Sequence, residues 1–330
     1  MVTNRTARTA RLVRQAAALA FATLFPLQHA QASCGAAFCM VNTNWNMQGL
    51  APEAGLRLDL RFEYIDQDQP MTASRRIGVG EIRKHHDEVR TINRNYLARF
   101  DYTFNADWGV AVTAPVVDRS HAHIHNHGGG QLFDQWDFTR FGDVTVLGRR
   151  QWMSENPDVP RLAFYGVNFG VKAPTGKFDV RNANNDLAER SLQPGTGTTD
   201  LLLGAYYSQV LPAWASSWFV QALSQTPLPK RDEYRPGRRY AVDAGFRYEA
   251  TDRVGLMLQL NALYRSRDSG REAEADDTGG RFVFLSPGAS YAVTKAVQLY
   301  GFVHKPVYQH VNGVQLTADW SVVAGLNLRF

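Results

Sequence analysis

The chain is 330 residues long, 44% apolar and 20% charged, with 36 basic residues, 31 acidic residues and two cysteines. A mean hydropathy of −0.33, and no apolar run of about 20 residues after position 32, exclude a helical membrane protein. Four arginines in the first 32 residues have no acidic counterpart; without them 32 basic residues face 31 acidic ones, and no nucleic-acid partner is expected.

Arg5, Arg8, Arg11 and Arg14 precede the short apolar stretch from Ala16 to Leu27 and the small residues Ala30-Gln31-Ala32. This order predicts an export signal over 1–32 that is cleaved. Reading Cys34 as a lipoprotein cysteine conflicts with Gln31-Ala32-Ser33, which lacks the apolar residue expected three positions upstream. Residues 33–54 are then a periplasmic segment or a small plug. An oxidising compartment favours a disulfide between Cys34 and Cys39, with a soft-metal or redox pair as the alternative.

From Gly55 onward, alternating segments recur between turn residues. In the first, Leu56, Leu58, Leu60, Phe62 and Tyr64 oppose Arg57, Asp59, Arg61 and Glu63. About twelve strands are predicted, at 55–66, 89–104, 108–117, 139–152, 161–174, 199–211, 216–228, 239–250, 253–266, 281–292, 297–309 and 315–330. Short connections alternate with long ones, which predicts periplasmic turns and outer loops. In the last segment Leu316, Ala318, Trp320 and the alternate residues to Phe330 form one apolar face, and the chain stops on an aromatic residue. Tyr64, Trp108, Trp152, Trp218, Tyr264, Tyr300, Trp320 and Phe330 lie near strand ends, where interfacial girdles use them. The pattern predicts an all-β fold: a transmembrane antiparallel up-and-down β-barrel over 55–330, in the cell outer membrane of a Gram-negative organism. A soluble sandwich explains neither the strand length nor the aromatic end.

The stretches Gly170-Val171-Lys172-Ala173-Pro174-Thr175-Gly176-Lys177, Leu192 to Asp200 and Tyr300 to Leu316 resemble outer-membrane barrel transporters of the "MetA-pathway of phenol degradation" type. The resemblance spans roughly Gly55 to Phe330 and implies a porin-like location. Its motifs belong to loops and strand ends, and the substrate in the family's name is not carried over.

His121, His123, His125 and His127 alternate on a predicted outer loop, and an extended backbone turns them the same way. With His85 and His86 they are candidate ligands for Zn, Cu or Ni, although no cofactor is required; a solvated polar tract or a pH-sensitive lid are the alternatives. Arg57, Asp59, Arg61, Glu63, Asp243, Arg247 and Arg265 are expected to face the lumen and set selectivity. Gly170 to Lys177 fails as a phosphate loop, because five residues separate its glycines and Phe178 replaces the required Ser or Thr. The acidic loop 267–278 matches no calcium hand and reads as a solvated surface near lipopolysaccharide. Ser120 and His121 are adjacent and point to opposite faces, and His304 has no readable Ser partner, so no enzyme is expected. The expected function is a porin-like channel or transporter for a small molecule or metal ion, with the histidine loop as a metal-binding gate. The alternative is a closed, surface-exposed metal-binding barrel without transport. Membrane lipid and the barrel-assembly machinery are the expected partners.

Overall fold

The computed structural model describes residues 33–34, 41–45, 48, 54–83, 85–127, 130–156, 161–228 and 233–330. The export signal expected at 1–32, and Cys39 with its expected disulfide, lie outside them. The alternating segments form twelve strands: β1 (Gly55–Ala73), β2 (His86–Thr103), β3 (Trp108–His127), β4 (Gly130–Phe141), β5 (Thr145–Asn156), β6 (Arg161–Lys172), β7 (Asp200–Leu211), β8 (Ser216–Pro227), β9 (Arg239–Glu249), β10 (Val254–Arg265), β11 (Gly280–Ala292) and β12 (Val297–Arg329).

Successive strands pair antiparallel, with one branch. The first half of β3 pairs with β5 and its second half with β4, so β3 and β4 rise as a hairpin above the wall. β12 reverses at Asn312-Gly313: residues up to Val311 pair with β11, and the return limb pairs with β1 down to Arg329 opposite Arg57. The Arg329 N–H donates to Ala296 O at 2.9 Å, which closes the two limbs on each other. Gly313 makes this reversal at φ 59°, and a side chain there would collide with Asp277. Eleven strands, one of them doubled, therefore give the twelve passes of a closed antiparallel barrel. Closure leaves no free sheet edge for lipid to satisfy.

Strand parity sorts the side chains as the sequence predicts. Val242, Phe246, Leu256, Leu258 and Leu260 are exposed on the outer surface, whereas Asp243, Arg247, Gln259 and Asn261 are buried inside. Trp108, Trp152, Trp218, Tyr264, Trp320 and Phe330 lie exposed near strand ends. Tyr300 does not join them. It shares the inward parity of Phe302 and His304, is 6% exposed, and donates to Asp59 at 2.8 Å. Leu316 also differs from expectation: register shifts around Ala318 turn it into a buried cluster with Val117, Trp136 and Leu192, and the outward apolar face starts at Trp320.

β1, β2 and β3 run further than predicted at the long-connection end, through about half of each of the loops expected at 67–88 and 118–138. Above the bilayer an outward residue need not be apolar, so the hydropathy alternation fades while backbone pairing continues. β5 begins at Thr145 instead of 139, because residues 130–141 belong to the β3–β4 hairpin.

Leu258, at the middle of β10 on the outer face, tests the lipid assignment. Leu258→Arg should destabilise the barrel by about 2–4 kcal/mol if it sits near the bilayer midplane, measured by urea unfolding in vesicles; an unchanged midpoint would place this face elsewhere.

Candidate functional site

All seven predicted lumen residues point inward, at different heights. Arg57, Asp59, Glu63, Asp243 and Arg247 are buried, and Arg61 and Arg265 are half-buried. Ion pairs hold several of them: Arg61 with Glu63 at 3.1 Å, Arg247 with Glu249 at 2.5 Å and Arg265 with Asp268 at 2.8 Å.

A series of cavities with shared lining residues lies along the lumen. At the long-connection end a cavity of about 250 Å³ is lined by Arg119, Lys172, Arg190, Arg239 and Arg265 with Asp143 and Asp200. It shares Leu97 and Thr113 with a middle cavity of about 210 Å³, which also meets Asp59, Arg61 and Asp243. Beside Trp45 the space narrows to about 10 Å³. Arg57 and Asn327 border both that constriction and a cavity of about 220 Å³ at the short-turn rim, lined by Arg247, Arg253, Lys295 and Arg329 against Glu249 and Asp252.

The constriction is made by the segment before β1, whose described residues lie inside the barrel. Asn42 exchanges two hydrogen bonds with Gln259, both at 2.9 Å. Trp45 Nε1 donates to Asp59 at 3.0 Å, Arg61 donates to Thr43 at 3.1 Å, and Ser217 donates to Gln48 O at 3.0 Å. Val41 and Trp45 pack among Ile65, Met257, Tyr300, Phe302 and Val323. Further up, Ser33–Cys34 pairs in parallel with Gln315 and Leu316.

The other end is covered by the connection 173–199. Its residues Val180, Ala188 and Leu192 pack against Val117, Trp136, Phe138 and Leu316, and Arg119 donates to Leu192 O at 2.5 Å. The base of this connection is a polar knot. Lys172 reaches Asp143 at 2.8 Å and Asp200 at 3.3 Å, and Asp143 also accepts from the N–H groups of Gly176 and Thr196. The glycine-rich stretch around Lys172 therefore anchors a loop.

The acidic loop after β10 is less solvated than expected. Asp268 accepts from Tyr234 and Gly237, Asp277 accepts from Val314 N–H, and Glu274 is buried. Glu272 and Asp276 remain exposed.

Beside this cap, on the wall formed by β2 and β3, the predicted histidines converge. Although a loop was expected there, His121, His123 and His125 project from β3, and His86 from the start of β2 faces them across the ladder. His121 Nε2 lies 3.3 Å from His123 Nδ1; His86 Nε2 lies 3.0 Å from His125 Nδ1 and 2.9 Å from His85 Nδ1. His86, His121 and His123 are each 1% exposed. His127 ends β3 opposite Gly130, and its side chain lies outside the described atoms.

Carboxylates complete the cluster. Glu88 approaches His121 Nε2 at 3.6 Å, Glu189 approaches His86 Nδ1 at 3.2 Å and His123 Nδ1 at 3.9 Å, and Asp134 approaches His125 Nε2 at 3.7 Å. Glu274 lies against Glu189. Burial lowers His121 to about 3 and His123 to about 2, so both imidazoles are neutral. Burial also pushes Glu189 up to about 8, and holds Glu88 and Glu274 well above the carboxylate range, with repulsion among the acids adding to it. Among the described residues, both oxygens of Glu88 and His123 Nε2 have no hydrogen-bond partner. Each such group costs about 1–3 kcal/mol when left dry. Of the carboxylates, Glu88 was legible in sequence, since it stands two residues after His86 on the same strand face. Glu189 and Glu274 come from remote connections and carry no local signal.

Ser286 and His304, unpaired in the sequence, meet at 2.5 Å in the lumen. Ser286 donates to Asn261 Oδ1 at 2.9 Å, which leaves the imidazole to donate to the hydroxyl, the reverse of what a base activating a nucleophile requires.

The family described as "Putative MetA-pathway of phenol degradation" matches residues 94–310. The chain belongs to this family. It is an outer-membrane β-barrel of porin-like architecture. Among solved structures it is similar to the COG4313 outer membrane channel from Pseudomonas putida F1, with 12% identity, 88% of this chain and all of that one covered, and a TM-score of 0.62. The NanC porin is more distant, at 10% identity over 83% of this chain and all of its own, with a TM-score of 0.42. The CymD monoaromatic hydrocarbon channel matches at 9% identity, 88% and 94% coverage and a TM-score of 0.38. These likenesses describe the fold. No curated protein matches the chain in sequence.

Trp45→Ala should loosen the lumen segment by about 3–5 kcal/mol. Hydrogen–deuterium exchange is expected to rise over 41–48 while the barrel strands stay protected; unchanged exchange would mean that Trp45 does not hold the segment.

Proposed function

We propose that the barrel passes small polar solutes across the outer membrane, with a preference for anions, and that the N-terminal segment is a plug that gates the passage. The series of cavities from the outer cap to the short-turn rim, interrupted beside Trp45, carries this reading. Basic residues outnumber acidic ones in the cavities at both ends. Such a lining concentrates anions at the entrances and biases their passage. The histidine cluster has a different role from that of a metal-transport path: among the described residues, no histidine lines any of these four cavities.

A closed barrel without transport is the second reading, favoured by the plug and by the inward-folded 173–199 connection. Planar-bilayer recording separates the two. The full mature chain should show small or intermittent conductance with an anion-selective reversal potential, and Trp45→Ala should raise the conductance severalfold. Silence from a Trp45→Ala barrel shown to be folded by its heat-dependent gel migration would establish the closed reading. Arg253→Glu with Lys295→Glu, at the exposed short-turn rim, should move the reversal potential toward cations; no movement would remove that rim from the passage.

A further inference from the structure

We propose that ligands drawn from His86, Glu88, His121, His123 and Glu189 hold a divalent transition-metal ion of the zinc class, and that the bound ion fastens the connection 173–199 to the wall of β2 and β3. Zinc takes nitrogen and oxygen ligands about 2.0–2.2 Å away in a tetrahedron, which sets its ligand atoms roughly 3.3–3.6 Å apart. The spacings of 3.3 Å from His121 to His123, 3.6 Å from His121 to Glu88 and 3.2 Å from His86 to Glu189 fall at or beside that range. Two buried triads, His86–His123–Glu189 and Glu88–His121–His123, share His123.

Three further observations point to an ion instead of a self-contained hydrogen-bonded cluster. Both oxygens of Glu88 are buried without hydrogen-bond partners among the described residues. Thr91 Oγ1 lies 2.8 Å from His121 Nδ1, so the ring is oriented through one nitrogen while the other faces the cluster, as outer-shell groups do for ligating histidines. Trp136 covers the site, 4.7 Å from His123 and 5.9 Å from His121 between ring centres, while its Nε1 donates to Asp186 O of the connection. Imidazole and carboxylate donors together suit zinc, copper or nickel; calcium and magnesium favour oxygen alone.

Glu189 gives the site its mechanical meaning. Four of the five candidate ligands stand on the barrel wall, and the fifth stands on the connection that covers the upper cavity. An ion that takes Glu189 together with wall histidines among its four ligands adds metal–ligand bonds to the contacts of Leu192 and the Asp143–Lys172 knot. Metal would therefore stabilise the capped state of the barrel.

The test uses the full mature chain, refolded and stripped with a chelator, then titrated with Zn²⁺ and with Co²⁺ as a spectroscopic probe. Wild type should bind Zn²⁺ saturably and develop the visible absorption of nitrogen- and oxygen-ligated Co²⁺. His121→Ala with His123→Ala should weaken binding by more than the roughly 10–100-fold that outer-shell losses cost, whereas His310→Ala, outside the cluster, should not change it. Zn²⁺ should slow proteolysis within 173–199 in wild type and not in Glu189→Gln. Equal affinity in wild type and the double variant, with folding confirmed by gel migration, overturns the site; equal protection in Glu189→Gln overturns the fastening. The site stands on geometry alone, and only its effect on passage rests on the channel reading. Histidine-dependent Zn²⁺ binding beside a silent Trp45→Ala barrel would overturn passage and support the site; conductance without such binding would overturn the site alone.

Discussion

Closure of β12 on β1 is the constraint on which the rest of this molecule depends. A sheet in lipid cannot leave its edge N–H and C=O groups unpaired, so the chain must return its last limb to its first strand. The pairing of Arg329 with Arg57 and Val322 with Tyr64 does this. Once the ring is closed, parity leaves each side chain two surroundings, lipid or lumen. The interior then collects the charged and amide side chains that the exterior excludes. Buried polar groups need partners, and the lumen supplies them partly from the wall and partly from chain folded into it. Gln259 bonds to the backbone of Asn42, and Asp59 accepts from Trp45 and Tyr300. The plug thus meets a demand that the closed wall creates.

The membrane part was legible because lipid enforces a strict pattern. Leu256, Leu258 and Leu260 against Gln259 and Asn261 specify strand, face and register together, since a slip of one residue would reverse every side chain. Above the bilayer that pressure ends. Ser120, Ala122 and Asn126 alternate with histidines without a hydropathy contrast, and the paired end of β3 reads as a loop. Tyr300 and Leu316 were misplaced for related reasons: residue type alone put one in the girdle, and an irregularity in the β12 ladder altered parity for the other.

The histidine cluster was half visible. Spacing by two residues places His121, His123 and His125 on one side of any extended segment, and this does not depend on whether the segment is loop or strand. Glu88 carried a local signal, two residues after His86, whereas Glu189 and Glu274 depend on tertiary folding. Glu189 lies 66 positions beyond His123 in the numbering, and only the inward fold of 173–199 brings it to 3.9 Å. The Lys172 stretch teaches the same lesson from the other side. Its glycine-rich turn holds Lys172 between Asp143 and Asp200, so the stretch marks the base of the cap.

The two closures of the lumen have separate supports. The plug contacts β1, β8, β10 and β12 through Asp59, Ser217, Gln259 and Tyr300. The cap rests on β3, β4 and β5 through Arg119, Trp136 and the segment around Asp143. Apart from the short parallel pairing of Ser33–Cys34 with Gln315 and Leu316, neither contributes to the strand ladder that holds the wall together. Local openings require loss of local contacts only, and their free energies can lie far below that of global unfolding. On the channel reading proposed above, either end can open while the barrel stays intact, and a solute would have to find both open together or wait in the 250 Å³ and 210 Å³ cavities between them. If the proposed metal ion stabilises the cap, it acts at one end alone, so the N-terminal segment would set passage when the cap is open and the cap would set it when metal is bound.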